Sequence, residues 1–395
     1  MHYAVPRILH QAGLLERFYT DICATKGWPR LLQAMPKSLR PSKLDRLAGR
    51  IPKGIPPGRI TAFTGFGVEY ARRLAAANNG DQRNAAFLWG GAEFNRRIIA
   101  RGFGKAGAVY AFNSAALELL ESAHRHGLKG VVEQTITPRN IEWRLLSEEQ
   151  VRYAHWELPL GGHLMREYCD RELAEWTAAD LVVCASPYVQ AGIIACGGSP
   201  DKCVVVPYGI DFTAIPCQRP KRVSGPLRVL TVGAVGLRKG SPYVLAAARQ
   251  LRGIAEFRMV GAVQVLEPAQ RELRNWVDLA GTVPSAEMIR QYEWADVFLL
   301  PSLCEGSATS TYEALGYGLP VICTPNTGSV VRDGIEGFIV PAHDHLVIVE
   351  KLERLASHRD ILAGMSENAR RRREHFTLVK YGERLIAALQ SGIVF

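Results

Sequence analysis

The strongest constraint on the fold is the alternation of short apolar runs, polar loops and helical segments between residues 297 and 341. Residues 297–302 form an apolar run that is long enough for a buried parallel strand and too short for a helix. A small polar loop follows, and Ser310 and Glu313 then have the spacing of a capping box. The helix is predicted to end near Gly316 or Gly318, before a second buried strand at residues 320–324. A loop that joins the carboxyl end of a strand to a helix N-terminus is where α/β proteins hold anionic ligands.

Two carboxylates, Glu305 and Glu313, flank this loop. Because a carboxylate repels a phosphate, we expect neither to contact the phosphates of a ligand. Each can instead accept hydrogen bonds from sugar hydroxyls on either side of a diphosphate. The alternative is that Glu313 only caps its helix and Glu305 is a solvated loop residue. These two residues alone leave both interpretations open.

An ordered series of motifs runs through the same stretch. They are Glu305-Gly306, Glu313-Ala314, Gly318-Leu319-Pro320-Val321 and Gly337-Phe338-Ile339-Val340-Pro341. The series resembles the donor-binding signature of family 4 retaining glycosyltransferases. The resemblance implies an α/β protein with the GT-B fold, in which two Rossmann-like domains face a cleft. It further implies parallel sheets flanked by helices and a C-terminal helix that crosses back to the first domain.

A second part of the resemblance lies at residues 234–240, after an apolar run predicted to be a strand. The family pattern is G-R-x-x-x-x-K-G. Lys239 and Gly240 match it, but Ala234 stands at the arginine position. We expect Arg238 to supply the charge from the neighbouring position and to bind a diphosphate together with Lys239. Ordinary surface charge is the alternative for this pair.

The family's histidine has no counterpart in this chain. Family members place it after the strand that corresponds to residues 131–134, where the loop here reads Glu133-Gln134-Thr135-Ile136-Thr137-Pro138. Neither Gln134 nor the distant His155 and His163 is assigned its role.

Size and composition are typical of a two-domain globular protein. The chain has 395 residues, of which 47% are hydrophobic and 22% charged. Its eight cysteines have no metal-ligand spacing, which favours a reducing compartment over a disulfide framework. With no signal peptide and no apolar run of about 18 residues, the expected location is the cytoplasm. The net charge of +10 indicates phosphorylated substrates or an anionic membrane, because no nucleic-acid-binding motif accompanies it.

The domain boundaries follow from the order of predicted elements. Residues 1–207 are predicted to form a Rossmann-like acceptor domain, and residues 207–211 resemble the family segment that ends it. A proline-containing linker at 208–226 leads to the donor domain at 227–376. Residues 377–395 are predicted to form the returning helix. The N-terminus begins with a helix where a Rossmann-like domain usually has a strand and a glycine-rich turn. We therefore expect in-frame coding sequence upstream for that strand.

Residues 26–59 carry nine basic side chains against one acidic side chain, interleaved with leucines. This composition resembles the basic faces of family members that glycosylate lipid-linked acceptors. We expect peripheral contact with the anionic inner face of the cell membrane, at about 1 kcal/mol for each basic group. A solvated loop and helix pair is the alternative.

The sequence thus predicts a retaining glycosyltransferase that moves a sugar from a nucleotide-diphosphate donor to an acceptor hydroxyl in glycan or glycolipid biosynthesis. We expect no cofactor and no metal, because no D-x-D motif is present. The alternatives are an inactive GT-B protein that binds nucleotide sugars and a sugar-nucleotide epimerase of the same fold. The residues expected to carry catalysis are Glu305, Lys239 and Arg238. Those expected to bind the donor are Glu313, Gly306, Ser307, Ala308, Thr309, Ser310, Gly233, Thr282 and Val283.

Overall fold

The computed structural model describes residues 3–36, 39–213, 215 and 224–392. Most of the proline-rich part of the predicted linker, including Pro216 and Pro220, lies outside these residues. The remainder forms two α/β domains, as predicted. Across the described ranges, no helix has both the length and the apolar character needed to cross a membrane.

The first domain contains a two-stranded and a four-stranded parallel sheet. Its helices are α1 (Ala4–Gln11), α2 (Ser42–Ala48), α3 (Thr64–Ala76), α4 (Gly80–Ile99), α5 (Leu117–Arg125), α6 (Arg139–Arg152), α7 (Met165–Ala178) and α8 (Pro187–Ala195). Its strands are β1 (Phe18–Thr20), β2 (Ile60–Ala62), β3 (Ala108–Phe112), β4 (Lys129–Gln134), β5 (Leu181–Cys184) and β6 (Cys203–Val205). β1 pairs with β2, and β3 to β6 pair in chain order.

The second domain has one six-stranded parallel sheet with the strand order β12-β11-β10-β7-β8-β9. Its strands are β7 (Leu227–Val232), β8 (Ala255–Val260), β9 (Asp278–Gly281), β10 (Val297–Leu300), β11 (Val321–Cys323) and β12 (Gly337–Ile339). Its helices are α9 (Ser241–Gln250), α10 (Glu267–Arg274), α11 (Ser285–Trp294), α12 (Thr309–Gly316), α13 (His345–Ser357) and α14 (Arg359–Arg373). The order reverses between β7 and β10, which is where open α/β sheets bind ligands.

The last helix, α15 (Leu378–Gly392), packs on the first domain, as predicted. Its Leu385 and Leu389 are buried in one cluster with Val5 and Ile8 of α1 and Leu181 of β5. The start of the predicted linker is also anchored here rather than exposed, since Ile210 pairs with Thr377 in an isolated bridge. Apolar burial therefore joins the C-terminal helix to the domain in which the chain begins.

Candidate functional site

The two loops singled out in the sequence meet at one edge of the second sheet. β7 and β10 are neighbours, with Val229 opposite Val297 and Leu230 opposite Phe298. Since the strands are parallel, the loops that follow them leave the sheet at the same edge. Leu303 N–H donates to the carbonyl of Arg238 at 2.8 Å, which ties the two loops together.

Three predicted residues form a compact ion cluster at this edge. Lys239 Nζ and Arg238 Nη1 each lie 2.7 Å from the same carboxylate oxygen, Oε1 of Glu305. Glu305 and Lys239 are buried, at 7% and 9% exposure. The cluster carries a formal charge of +1, because two cations share one carboxylate. It can therefore attract an anion while keeping its own carboxylate compensated.

Two opposing effects act on the pKa of Lys239. Burial lowers the pKa of Lys239, and the charge of Glu305 offsets part of this effect. Gly233, at the end of β7, makes room for the lysine stem: its φ is +145°, and a Cβ there would lie 2.9 Å from Lys239 Cε. Gly233, predicted to bind the donor, thus determines the position of Lys239 in this structure.

The capping box predicted at Ser310 is wrong. α12 begins one residue before Ser310, its N-cap is Ala308, and no side chain caps it. Thr311 donates from both its N–H and its hydroxyl to the carbonyl of Ala308, which closes the first turn without a side-chain cap. Ser310 therefore lies inside the helix, and Glu313 is its fifth residue.

The loop before α12 and the first turn of the helix leave four backbone N–H groups without an acceptor among the described residues. They belong to Gly306, Ser307, Thr309 and Ser310, and we call them the amide cluster. The N–H of Ala308 is occupied, because it donates to Thr327 at 3.2 Å. Free amides at a helix N-terminus are suited to an anion, since they point outward at the positive end of the helix dipole.

Glu313 is held by a partner that the sequence did not indicate. The hydroxyl of Tyr292 in α11 donates to Glu313 Oε2 at 2.5 Å. The Tyr292 ring stacks on Tyr317, with centroids 4.8 Å apart. Burial raises the pKa of Glu313 above its ordinary value, and the Tyr292 hydrogen bond works against this. The capping alternative for Glu313 is thus wrong.

The side chains of the remaining predicted residues are spread along the edge. Ser307 Oγ contacts Tyr312 Oη at 2.7 Å and donates to the Gly328 carbonyl at 2.9 Å, so its side chain is used internally. Thr282 and Val283 follow β9, two strands away from β7. Val283 packs on the buried core, and Thr282 is exposed. No contact between these two residues and the ion cluster is present among the described residues.

The first domain holds the loop at Glu305 from the opposite side. Thr137 Oγ1 donates to the Glu305 carbonyl at 2.6 Å, and Ser186 Oγ donates to the Gly306 carbonyl at 2.5 Å. A Cβ at Gly306 would lie 1.8 Å from the Thr135 carbonyl oxygen, so the backbones of the two domains meet there. The sequence did not indicate Thr137 or Ser186, because no local pattern marks contacts over such separations. Thr137 is 168 positions from Glu305, and Ser186 is 120 positions from Gly306.

The residues considered in place of the family's histidine do not reach the ion cluster. Gln134 accepts from Trp176 Nε1 at 3.0 Å and donates to Glu172 Oε1 at 3.1 Å, entirely within the first domain. His155 and His163 are exposed. Within the part of the chain that the structure describes, no group of three or more His, Cys, Asp or Glu side chains is placed to hold a metal ion.

Residues 226–358 match the family model "Glycosyl transferases group 1". The amylovoran biosynthesis glycosyltransferase AmsK of Erwinia amylovora is 27% identical over 231 residues, covering 54% of this chain and 57% of the relative. The chain spans about half the length of the curated relatives that it matches, 47% to 57% for three of them.

Solved structures show the same fold. Anabaena Alr3699/HepE in complex with UDP superposes with a TM-score of 0.63 at 15% identity, covering 94% of this chain and 99% of that one. The apo form of the lipopolysaccharide outer core galactosyltransferase WaaB gives 0.59 at 16% identity, covering 95% and 99%. This likeness establishes the two-domain GT-B architecture.

Proposed function

Because residues 226–358 match the family model of the glycosyl transferases group 1, we propose that this protein is a retaining glycosyltransferase of polysaccharide or glycolipid biosynthesis. Its donor is a nucleotide-diphosphate sugar, and its acceptor is a hydroxyl of a glycan or lipid-linked glycan. The observation that carries the proposal is the position of Lys239, Arg238 and Glu305 on the edge that also bears the amide cluster. Support for the donor class comes from the solved neighbour that contains UDP.

The diphosphate binds between the cations and the amide cluster. The N–H groups of Ser307, Thr309 and Ser310 donate to phosphate oxygens, and Lys239 adds a charge-assisted bond. Negative charge grows on the departing phosphate as the bond to the sugar breaks. Fixed donors in a buried site stabilise that charge more than water does.

Glu305 binds the donor sugar rather than the phosphates. Its Oε1 is already shared by two cations, while Oε2 has no hydrogen-bond partner among the described residues. A donor-sugar hydroxyl can donate to Oε2 without disturbing the ion cluster. Glu313, fixed by Tyr292, accepts from the ribose hydroxyls of the nucleotide.

The acceptor oxygen forms its bond to the anomeric carbon on the face that the phosphate leaves. The proton of the acceptor hydroxyl passes to an oxygen of the departing phosphate, so no protein side chain becomes covalently attached. In this mechanism two cations and the amide cluster provide the charge compensation, and no metal is required.

We further propose that the protein binds the cytoplasmic face of the cell membrane through its first domain, which is the acceptor domain. The basic segment at 26–59 exposes large apolar side chains that do not pack in the core: Trp28 at 48%, Leu31 at 74% and Leu39 at 68%. Exposed apolar groups among cations are suited to an anionic lipid surface.

A protein that binds nucleotide sugars without transferring them is the second candidate, favoured by Ala234 at the family's arginine position. A screen of UDP and GDP sugars by thermal shift, followed by transfer of the labelled sugar, separates the two. Binding with transfer or hydrolysis supports the enzyme, and binding alone supports the second candidate. No stabilisation by any of these donors contradicts both.

A further inference from the structure

A carboxylate outside the ion cluster contacts the turn that carries both of the cluster's cations. Arg238 and Lys239 belong to one short 3₁₀ turn, Leu237–Lys239. The N–H of Leu237 donates to Glu157 Oε1 at 2.6 Å. These two residues are 80 positions apart, and Glu157 follows α6 of the first domain. The start of the turn is therefore held by a side chain from an earlier part of the chain.

The N-cap of this turn has no side chain that could make the same bond, because it is Gly236. In most helices a side-chain oxygen at the N-cap accepts one of the N–H groups that the first turn leaves free. The hydroxyl of Ser241, at the start of α9, is already engaged, since its Oγ accepts from Gly236 N–H at 2.8 Å. Glu157 thus provides the cap that the local sequence lacks.

Gly236 also leaves the space that Glu157 occupies. A Cβ at this position would lie 2.4 Å from Glu157 Oε1, while Gln264 Cβ would be at 3.8 Å, an ordinary contact. The φ of Gly236 is −178°, which any residue can adopt, so the backbone itself does not require a glycine here. An alanine at this position would therefore displace the carboxylate from Leu237 N–H.

The backbone next to Glu157 is fixed on the second domain. The side chain of Trp156 is buried in one cluster with Val265 and Ala269 of that domain. The Trp156 carbonyl also accepts from Leu266 N–H at 2.6 Å. Because both the ring and the backbone of Trp156 are held, the carboxylate of Glu157 is kept beside the turn.

A second carboxylate, Glu149 near the end of α6, holds the helix that follows the turn. The hydroxyl of Tyr243 in α9 donates to Glu149 Oε1 at 2.7 Å, and Glu149 is fully buried. His343 Nδ1 lies 3.2 Å from Oε2 of the same carboxylate. Lys239 thus lies between two points, Leu237 and Tyr243, at which the second domain is bonded to residues 149–157.

The position of this turn matters because both cations act over short distances. Arg238 Nη1 and Lys239 Nζ each lie 2.7 Å from Glu305 Oε1, and a shift of the turn would lengthen both contacts. In an active site, a misplacement of about 1 Å can lower the rate by about 10²-fold. A bond that fixes the turn therefore acts on the reaction without touching the substrates.

We propose that Glu157 is a positioning residue for the transfer reaction. Its carboxylate fixes the turn Leu237–Lys239 and thereby the positions of Arg238 and Lys239 relative to the departing phosphate. This inference rests on the proposed function, in which Lys239 binds that phosphate. Glu157 acts through the N–H of Leu237 and contacts neither the donor nor the acceptor.

The test is a double-mutant cycle of Glu157→Ala and Gly236→Ala. The first substitution removes the carboxylate, and the second displaces it but keeps it in the chain. Each is expected to lower kcat by about tenfold or more and to change the donor KM by less than about threefold, because the charge on the leaving phosphate develops in the transition state. The double variant should be no slower than either single variant.

Two further variants separate positioning from general damage. Glu157→Gln keeps an acceptor oxygen of the same reach and should retain most of the wild-type kcat. Glu148→Ala is the matched control on α6, because Glu148 forms an exposed pair with Arg144. It should leave kcat unchanged.

Hydrogen exchange gives a readout that does not require transfer. The N–H of Gly240 closes the turn by donating to the Leu237 carbonyl at 2.9 Å. Its exchange should be about tenfold faster in Glu157→Ala than in the wild type, and unaltered in Glu148→Ala.

Additive effects of the two alanine substitutions, or wild-type exchange at Gly240 in Glu157→Ala, overturn the proposal. A lowered Tm with unchanged kcat also overturns it, because Glu157 is then only a structural contact. If the wild-type protein transfers no sugar, the proposed function fails, and exchange at Gly240 still decides whether Glu157 fixes the turn.

Discussion

The ammonium of Lys239 lies 2.7 Å from Oε1 of Glu305, on a lysine stem that has room because position 233 is a glycine. This buried lysine is the centre of the proposed donor site. It pairs with a carboxylate and lies on the sheet edge that also carries the N-terminus of α12, where the diphosphate is proposed to bind.

Replacing Lys239 with alanine is expected to lower turnover by about 10²- to 10³-fold, because a buried donor to the leaving phosphate is lost. Nucleoside-diphosphate affinity, measured by calorimetry, should fall as well. Lys380→Ala is the control, since Lys380 forms an exposed pair with Glu383. Unchanged nucleoside-diphosphate binding in Lys239→Ala would remove this residue from the phosphate site.

Glu313→Gln is expected to raise the KM for the donor by about tenfold, the scale of one charge-assisted hydrogen bond, with Tm nearly unchanged. The amide keeps the size of the side chain and can still accept from Tyr292. Tyr292→Phe should produce a smaller increase in KM, because Glu313 remains but is no longer fixed. A lowered Tm with unaltered kinetics for Glu313→Gln would assign this residue to stability instead.

Gly306→Ala is expected to abolish most activity by separating the two domains at the loop. The added Cβ would lie 1.8 Å from the Thr135 carbonyl oxygen, and backbone on both sides has to move. Gly364→Ala in α14 is the matched control, because a Cβ there meets nothing within 4 Å. Small-angle scattering should show a more open Gly306→Ala molecule; wild-type activity and shape would mean that this contact is dispensable.

Stability is expected to fall as pH rises from about 4.5 to about 7, because of Glu133. Burial raises the pKa of Glu133 to about 7, and hydrogen bonds from Tyr110 and Tyr208 oppose this. The folded state thus keeps a proton that the unfolded state releases near pH 4.5, so the contribution is full below pH 4.5 and lost above pH 7. The expected loss is about 3 kcal/mol. Chemical denaturation at pH 5 and pH 7 should show a smaller difference in Glu133→Gln than in the wild type or in the exposed control Glu353→Gln.

Binding to vesicles is expected to depend on anionic lipid and on the exposed apolar side chains of the basic segment. Leu31→Ser should weaken sedimentation with phosphatidylglycerol vesicles several-fold. The substitution removes an apolar side chain that is 74% exposed and is proposed to contact the lipid. Val151→Ser, at 83% exposure on α6, is the control. Weak binding that ignores the anionic lipid content would contradict the membrane part of the proposal.

The sequence predicted the parts of the fold in which a local pattern is sufficient. The short apolar runs became strands of two parallel sheets, and their order placed Lys239 and Glu305 on one edge. The prediction of Ser310 as the N-cap was wrong, because the capping-box spacing also fits a helix that starts one residue earlier. The hydrogen bonds from Thr311 to the Ala308 carbonyl make Ala308 the N-cap. Tyr292, Thr137 and Ser186 could not be predicted, because their roles arise from tertiary contacts that leave no spacing in the sequence.

The most direct measurement is a structure of the protein bound to UDP or GDP, whichever stabilises it. We expect a β-phosphate oxygen within hydrogen-bond distance of Lys239 Nζ and of at least one N–H in the amide cluster, with Glu305 Oε2 turned toward the sugar site. Phosphates bound elsewhere, with the Lys239–Glu305 pair and the four amides untouched, would contradict it.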